Sequence, residues 1–236
     1  MFSKDPIGKA IRDYHTNNSP EDIIVESDIT DDDIIPIDYL FRTYEEFPEL
    51  EKVAMKHCNG EILDVGAAAG PHTKYLLEQG FSVSTVEVSP NAHAYLKETY
   101  PKAKHHLTPI LNLTDQSYDT ILLMMNGIGL AGTYHEVVPF LKHLSTLLKP
   151  GGKILAESTD VIDIFKDEEG GMWVDLNAEY YGSFRFNMKY KGVESGWFDW
   201  IYIDKTTLKN LAKEADLSIE ILYENQESFL MQLQKL

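Results

Sequence analysis

The chain is poor in cysteine, in positive charge and in long apolar runs. Cys58, the only cysteine in 236 residues, excludes an intramolecular disulfide framework and any cysteine-based zinc site. Lys and Arg number 21 against 38 Asp and Glu, a formal net charge of −17. Affinity for a phosphate backbone comes largely from Lys and Arg, so this balance, with no basic tail, disfavours a nucleic-acid partner. The longest clearly apolar run, Ile121 to Met125, is too short to span a bilayer, and Met1 to Pro6 begin no apolar core of signal-peptide length. A soluble cytoplasmic protein with no membrane partner is expected. Neither the pair His105-His106, nor His135 with His143, nor the run Asp31-Asp32-Asp33 has the spacing of metal ligands, and no metal is expected.

What is present is the composition of a globular protein, 43% apolar and 25% charged, on a chain long enough to bury a sizeable core. Residues 1–55 differ from the rest. Ile7, Ala10, Ile11 and Tyr14 fall at helical spacing and predict a short helix over Pro6 to His15. The breaker cluster Asn17-Asn18-Ser19-Pro20 follows. Seven acids (Glu21, Asp22, Glu26, Asp28, Asp31, Asp32, Asp33) then stand without a base and read as a solvated loop. Tyr39, Phe41, Tyr44 and Phe47 come next, in a stretch with no strand or helix signal. Residues 1–55 read as an N-terminal helical cap laid over a main domain of residues 56–236.

That domain alternates strand and helix. Strands are expected at Glu61 to Val65, Phe81 to Val88, Ala103 to Leu107, Tyr118 to Met125 and Lys153 to Glu157. Helices are expected at Pro71 to Gln79, from Pro90 to Pro101 behind a Ser89 cap, and at Tyr134 to Leu148. Such alternation predicts an α/β, doubly wound sheet covered on both faces. Residues 159–204 interrupt it. Phe184, Phe186, Met188 and Tyr190, then Phe198, Trp200 and Tyr202, alternate on either side of a Gly192 to Gly196 turn and predict an antiparallel hairpin. Asp204 caps a last helix, and two closing strands, Ser218 to Tyr223 and Ser228 to Gln234, are joined tightly enough to be antiparallel.

The chemically informative segment is Asp64-Val65-Gly66-Ala67-Ala68-Ala69-Gly70-Pro71, between a strand and a helix. Small residues there let the backbone approach a ligand beside a helix N-terminus. Glu87 ends the next strand, 21 residues after Gly66, where an acid can accept hydrogen bonds from ribose hydroxyls. A dinucleotide fingerprint starting at Gly66 needs glycines at 68 and 71, and the chain has Ala68 and Pro71. The negative charge of Asp64 beside the turn suits a ligand carrying an ammonium or sulfonium group.

Ile62 to Gly70 resembles motif I of the class I S-adenosylmethionine-dependent methyltransferases. Val86-Glu87-Val88-Ser89-Pro90 resembles their second motif, Tyr118-Asp119-Thr120-Ile121 to Asn126-Gly127 their fourth strand, and Leu147 to Lys153 the loop before their fifth. The resemblance implies a Rossmann-like sheet of seven strands in the order 3-2-1-4-5-7-6, the last antiparallel. It implies S-adenosylmethionine as methyl donor and S-adenosylhomocysteine as product. Gly66, Ala67, Ala68 and Gly70 would pass beneath the methionine part, which Asp64 helps to position. Glu87 would hold the ribose hydroxyls, Val88 would pack on adenine, and Met125 and Asn126 would line the methyl-donor side. Two positions depart from the pattern. Ala68 replaces the usual middle glycine, tolerable at negative φ. Pro109 stands where a polar residue often faces the adenine amine, leaving that amine to backbone groups or Thr108.

Methyl transfer from a sulfonium needs the acceptor close, aligned and desolvated, and needs a base only if the acceptor must lose a proton. Candidates for the acceptor pocket are Tyr14, Tyr39, Arg42, Asp160, Tyr181 and Trp200, with His15 and Asn126 as candidate catalytic groups. Each has a plainer reading. Tyr14 and Tyr39 can be cap packing, Trp200 hairpin core, and His15 a solvated histidine. Arg42 can neutralise the acidic cap or pair with the cofactor carboxylate. The fourth strand runs into Met124-Met125-Asn126-Gly127 and lacks the Asn/Asp-Pro-Pro-aromatic signature of amino-base nucleic-acid methyltransferases. A small neutral or cationic acceptor is expected. A protein or nucleic-acid acceptor, or a catalytically silent cofactor-binding protein, remains an alternative, and the oligomeric state is open.

Overall fold

The computed structural model describes residues 4–167, 171 and 179–236. In chain order the elements are α1 (Pro6–His15), β1 (Ile23–Ser27), β2 (Asp33–Ile35), α2 (Glu49–His57), β3 (Glu61–Val65), α3 (Pro71–Glu78), β4 (Ser82–Glu87), α4 (Pro90–Thr99) and β5 (Lys104–Leu107). They continue with β6 (Tyr118–Leu123), α5 (Val137–Thr146), β7 (Leu148–Thr159), β8 (Ser183–Tyr190), β9 (Val193–Glu194), β10 (Phe198–Ile201), α6 (Lys205–Glu214), β11 (Leu217–Glu224) and β12 (Ser228–Lys235). Among the described residues no helix is long and apolar enough to cross a membrane.

The main sheet runs β5-β4-β3-β6-β7-β12-β11, which in its own chain order is 3-2-1-4-5-7-6. Strands β3 to β7 pair parallel and β12 is antiparallel to both neighbours. Side chains alternate between faces with the period of two that strands impose. Leu63, Val65, Ile121 and Leu123 pack beneath α5 and α6. Ile62, Leu122, Met124, Leu155 and Leu230 pack beneath α2 and α3. Both faces are covered, so every active group of this sheet must emerge at its carboxyl edge.

Two readings of the first 55 residues need correction. The acidic run is not wholly a solvated loop: Ile23 and Val25 are buried, and β1 pairs with β2 on one side and β8 on the other. Its order depends on partners more than 160 residues away, since Glu26 is met by Lys189 at 2.5 Å and by Asn187 at 2.8 Å. The cap is helical in α1, in the 3₁₀ turns Ile37–Phe41 and Tyr44–Glu46 and in the start of α2, and it also carries strands: β10-β8-β1-β2, with β9 on β8, form a second sheet uniting the N-terminal segment with the expected hairpin. The expected boundary at residue 55 falls inside α2, whose Leu50, Ala54 and Met55 belong to the core of the main sheet.

One carboxylate joins the cap to the main domain. Asp5 caps α1 by accepting from Gly8 N at 2.9 Å. Its other oxygen accepts from Ser89 Oγ at 2.8 Å and from Asn91, at the start of α4. Ser89 in turn caps α4 through Ala92 N. The second sheet reaches the carboxyl edge through Trp200, whose ring lies on Gly129. A Cβ at Gly129 would stand 2.1 Å from Trp200 Cε2. We expect Gly129→Ala to destabilise the protein by about 1–3 kcal/mol through overpacking, read as a lowered urea midpoint; an unchanged midpoint contradicts that packing.

Candidate active site

The chain leaves β3 after Val65 and turns into α3 through Gly66 (φ +69°), Ala68 (φ +49°) and Gly70 (φ +74°). A Cβ on Gly70 would meet Leu96 and Tyr100 at 2.8 Å, whereas one on Gly66 would meet nothing, so the turn leaves open space over Gly66. The left-handed Ala68 departs from the negative φ its side chain favours, a strain of about 1–2 kcal/mol. Glu87 supports it. Ala68 N donates to Glu87 Oε2 at 3.0 Å, while Oε1 accepts from Val88 N at 2.8 Å and Ser89 N at 3.0 Å. Burial pushes the Glu87 carboxyl above its ordinary range, against the pull of those three backbone donors.

A cleft opens beside this turn, lined by Leu40, Arg42, Asp64, Val65, Gly66, Ala67, Ala68, Pro71, His72, Met124 and Met125. Asp64 is buried and accepts from Thr73 Oγ1 at 2.6 Å. Burial raises its pKa, partly offset by the charge of His72. The opposite wall is a buried chain of charge. Arg42 Nη2 meets Glu51 Oε1 at 2.5 Å, and Glu51 Oε2 meets His72 Nε2 at 3.0 Å. Burial opposes ionisation of Glu51, but hydrogen bonds and charge from His72 and Arg42 prevail and hold it below its ordinary value. The Arg42 guanidinium lies 4.0 Å from the centre of the Tyr39 ring and donates to Tyr39 O at 2.7 Å. Its Nε is buried without a hydrogen-bond partner among the described residues.

The third wall comes from β6 and β7. Met125 and Asn126 are both left-handed, with φ of +55°. Met125 N donates to Glu157 Oε2 at 2.8 Å, and burial raises the Glu157 pKa. Asn126 is buried; its Nδ2 reaches Ile201 O at 3.4 Å and its Oδ1 has no partner among the described residues.

Of the residues singled out in the sequence, Asp64, Gly66, Ala67, Ala68, Arg42 and Met125 share the cleft, Tyr39 stacks on Arg42, and Glu87 joins through Ala68. Val88 is 64% exposed at the rim, and Thr108 donates its N–H to the carbonyl of Glu87. Asp160 accepts from Tyr181 OH at 2.7 Å, away from the cleft lining. Tyr14 stacks on Phe41 at 4.3 Å, and the exposed His15 stands edge-on to Tyr95 at 5.0 Å; neither lines the cleft. Sequence reasoning missed Glu51, His72 and Glu157. His72 could have been noticed as the residue after Pro71 in the first turn of α3, which faces the strand ends. Glu51 lies on a helix with no signal recognised, and Glu157 reads as an ordinary strand end.

The methyltransferase-domain family matches this chain over residues 38–221. A crystal structure of an S-adenosylmethionine-dependent methyltransferase from Bacteroides fragilis, in complex with S-adenosylhomocysteine, is 34% identical. The match covers all of this chain and 96% of that one, at a TM-score of 0.92. The sugar N-methyltransferase KedS8 of Streptoalloteichus is 13% identical over 86% of this chain and 94% of its own, at a TM-score of 0.57. A methyltransferase from Clostridium acetobutylicum is 12% identical over 78% and 87%, at 0.56. These last two share the fold. Among curated proteins none matches the chain.

Two outcomes test the geometry. Ala68→Gly removes the left-handed strain at a smaller entropic cost, and should raise stability by about 0.5–1 kcal/mol in thermal melts. Glu51→Ala leaves Arg42 and His72 buried without their counter-ion, and should cost about 3–5 kcal/mol in urea unfolding.

Proposed function

The chain belongs to the class I S-adenosylmethionine-dependent methyltransferases, and on that premise we propose that it methylates a small-molecule acceptor held in the cleft at the carboxyl edge. S-adenosylmethionine, when bound, supplies a methyl group on a sulfonium that is transferred by in-line displacement. The residues present fit that ligand. The open space over Gly66 admits it, the buried acid Asp64 suits a cationic portion, and the unpartnered Nε of Arg42 suits a carboxylate. A carboxylate offers about four lone-pair sites; the backbone takes three on Glu87, leaving one for a ribose hydroxyl. Holding the acceptor near the donor in a desolvated cleft supplies much of the rate enhancement.

A small acceptor is supported by the sugar N-methyltransferase KedS8, which shares this fold. The net charge of −17 points away from polyanions.

Calorimetry with S-adenosylmethionine and with NAD tests the cofactor assignment to these residues. S-adenosylmethionine should bind and NAD should not. Glu87→Ala should weaken binding by about 1–3 kcal/mol, through the loss of a charged hydrogen bond and of the support under Ala68. Unchanged affinity refutes the ribose role of Glu87. A specific RNA shift at physiological salt refutes the small-molecule acceptor.

A further inference from the structure

Glu157 braces the third wall through Met125 N and takes no role in the function proposed above, yet it occupies a position built for it. It points to the same face of the sheet as Leu155, two residues earlier, and as its cross-strand neighbour Leu230. Both leucines lie in the cluster under α2, so the carboxylate emerges at the top of that cluster, next to Met124 and Met125 in the cleft wall. The loop that clasps it is strained. Met125 and Asn126 are consecutive left-handed residues with side chains, each a strain of about 1–3 kcal/mol. That conformation turns two successive N–H groups inward as a nest for an anion. Met125 N reaches Glu157 at 2.8 Å, and Asn126 N adds to it.

A neutral amide side chain could hold such a loop. Among the described residues, those N–H groups and the more distant charge of His72 favour ionisation of a carboxylate in this place, while burial and the charge of Glu51 oppose it. The other charged groups around it are committed. Arg42 and His72 bind Glu51, Asp64 accepts from Thr73, and burial keeps the Tyr39 phenol protonated. Glu157 is thus an acid joined to the cleft wall through Met125, with no cationic side chain bonded to it among the described residues.

We propose that Glu157 receives the proton of the methyl acceptor, and that the acceptor is a small amine bound as its ammonium ion. The inference rests on the small-molecule reading above. One N–H bond of the ammonium breaks and its proton passes to a Glu157 oxygen. The electron pair stays on nitrogen, where it forms the new bond to the methyl carbon as the carbon–sulfur bond breaks. Glu157 then releases the proton to water. An alkylammonium has a pKa of about 10.4 in water, and desolvation lowers it while raising that of a carboxyl, which narrows the gap the proton must cross.

The test compares the wild type with Glu157→Gln, which keeps an oxygen for the Met125 N–H, and Glu157→Asp, which keeps the charge. Thermal melts establish that each variant folds. With S-adenosylhomocysteine saturating, calorimetry should show n-butylammonium bound at least about tenfold more weakly by Glu157→Gln, with 1-butanol unaffected. S-adenosylhomocysteine affinity should be unchanged in both variants. In turnover of an amine panel, kcat/KM should fall by about 100-fold or more in Glu157→Gln and partly recover in Glu157→Asp. The wild-type pH profile should rise through the Glu157 pKa, above 4.5, and fall as the amine loses its proton; in Glu157→Gln it should climb about tenfold per pH unit until the amine is deprotonated. Equal ammonium affinity and equal profiles in wild type and Glu157→Gln overturn the proposal, as does a wild type that binds no amine or methylates only phenols or carboxylates. Failure of the wild type to bind S-adenosylhomocysteine is a different result, and it sinks the cofactor reading itself.

Discussion

The carboxylate of Glu87 ties together the turn after β3 and the end of β4. It reaches from the end of β4 to the turn after β3: one oxygen holds Ala68 N in a conformation an alanine otherwise avoids, while the other accepts from Val88 N and Ser89 N. Removing a partner from a buried carboxylate is expensive, so turn and strand end hold each other. The start of α4 follows directly, since Ser89 donates its N–H to Glu87 and its hydroxyl to Asp5. Through those two residues the N-terminal helix is continuous with the turn after β3.

Three of the eight described non-glycine residues with positive φ stand at the carboxyl edge of the main sheet. Ala68, Met125 and Asn126 are left-handed residues with side chains, and they stand at the carboxyl ends of β3 and β6. Each pair of strained backbone and acid follows one plan: Ala68 with Glu87, Met125 and Asn126 with Glu157. Packed cores supply the energy that keeps such loops in place, and the loops return precision at the cleft.

The main sheet was legible because its signals are local. Pro71 and Pro90 open helices, Ser89 and Asp204 cap them, and apolar runs such as Tyr118 to Leu123 carry their own length limits. The motif around Gly66 and the acid at Glu87 were legible for the same reason. What escaped depends on distant partners. β1 looks like a solvated acidic stretch until Lys189 and Asn187 are placed beside Glu26. α2 lacks a recognised start, with Pro48 before it and no side-chain cap, and with it went Glu51. Arg42 was noticed for its charge alone; its stacking on Tyr39 and its salt bridge to Glu51 arise only when the turn over Ile37–Phe41 meets α2.

The second sheet has a consequence for the order in which the protein is made. Ile24 of β1 pairs with Lys189 of β8. A ribosome adding about 5–20 residues per second takes roughly ten to thirty seconds to synthesise the chain between them. During that interval β1 and β2 are an apolar hairpin without a neighbour, with Ile24 and Ile34 still exposed even in the finished fold. The acids flanking them, from Glu21 to Asp33, repel other nascent strands of the same sequence, as gatekeeper charges do at strand edges. The charge that once suggested a loop is then what keeps an early strand soluble until its late partner emerges.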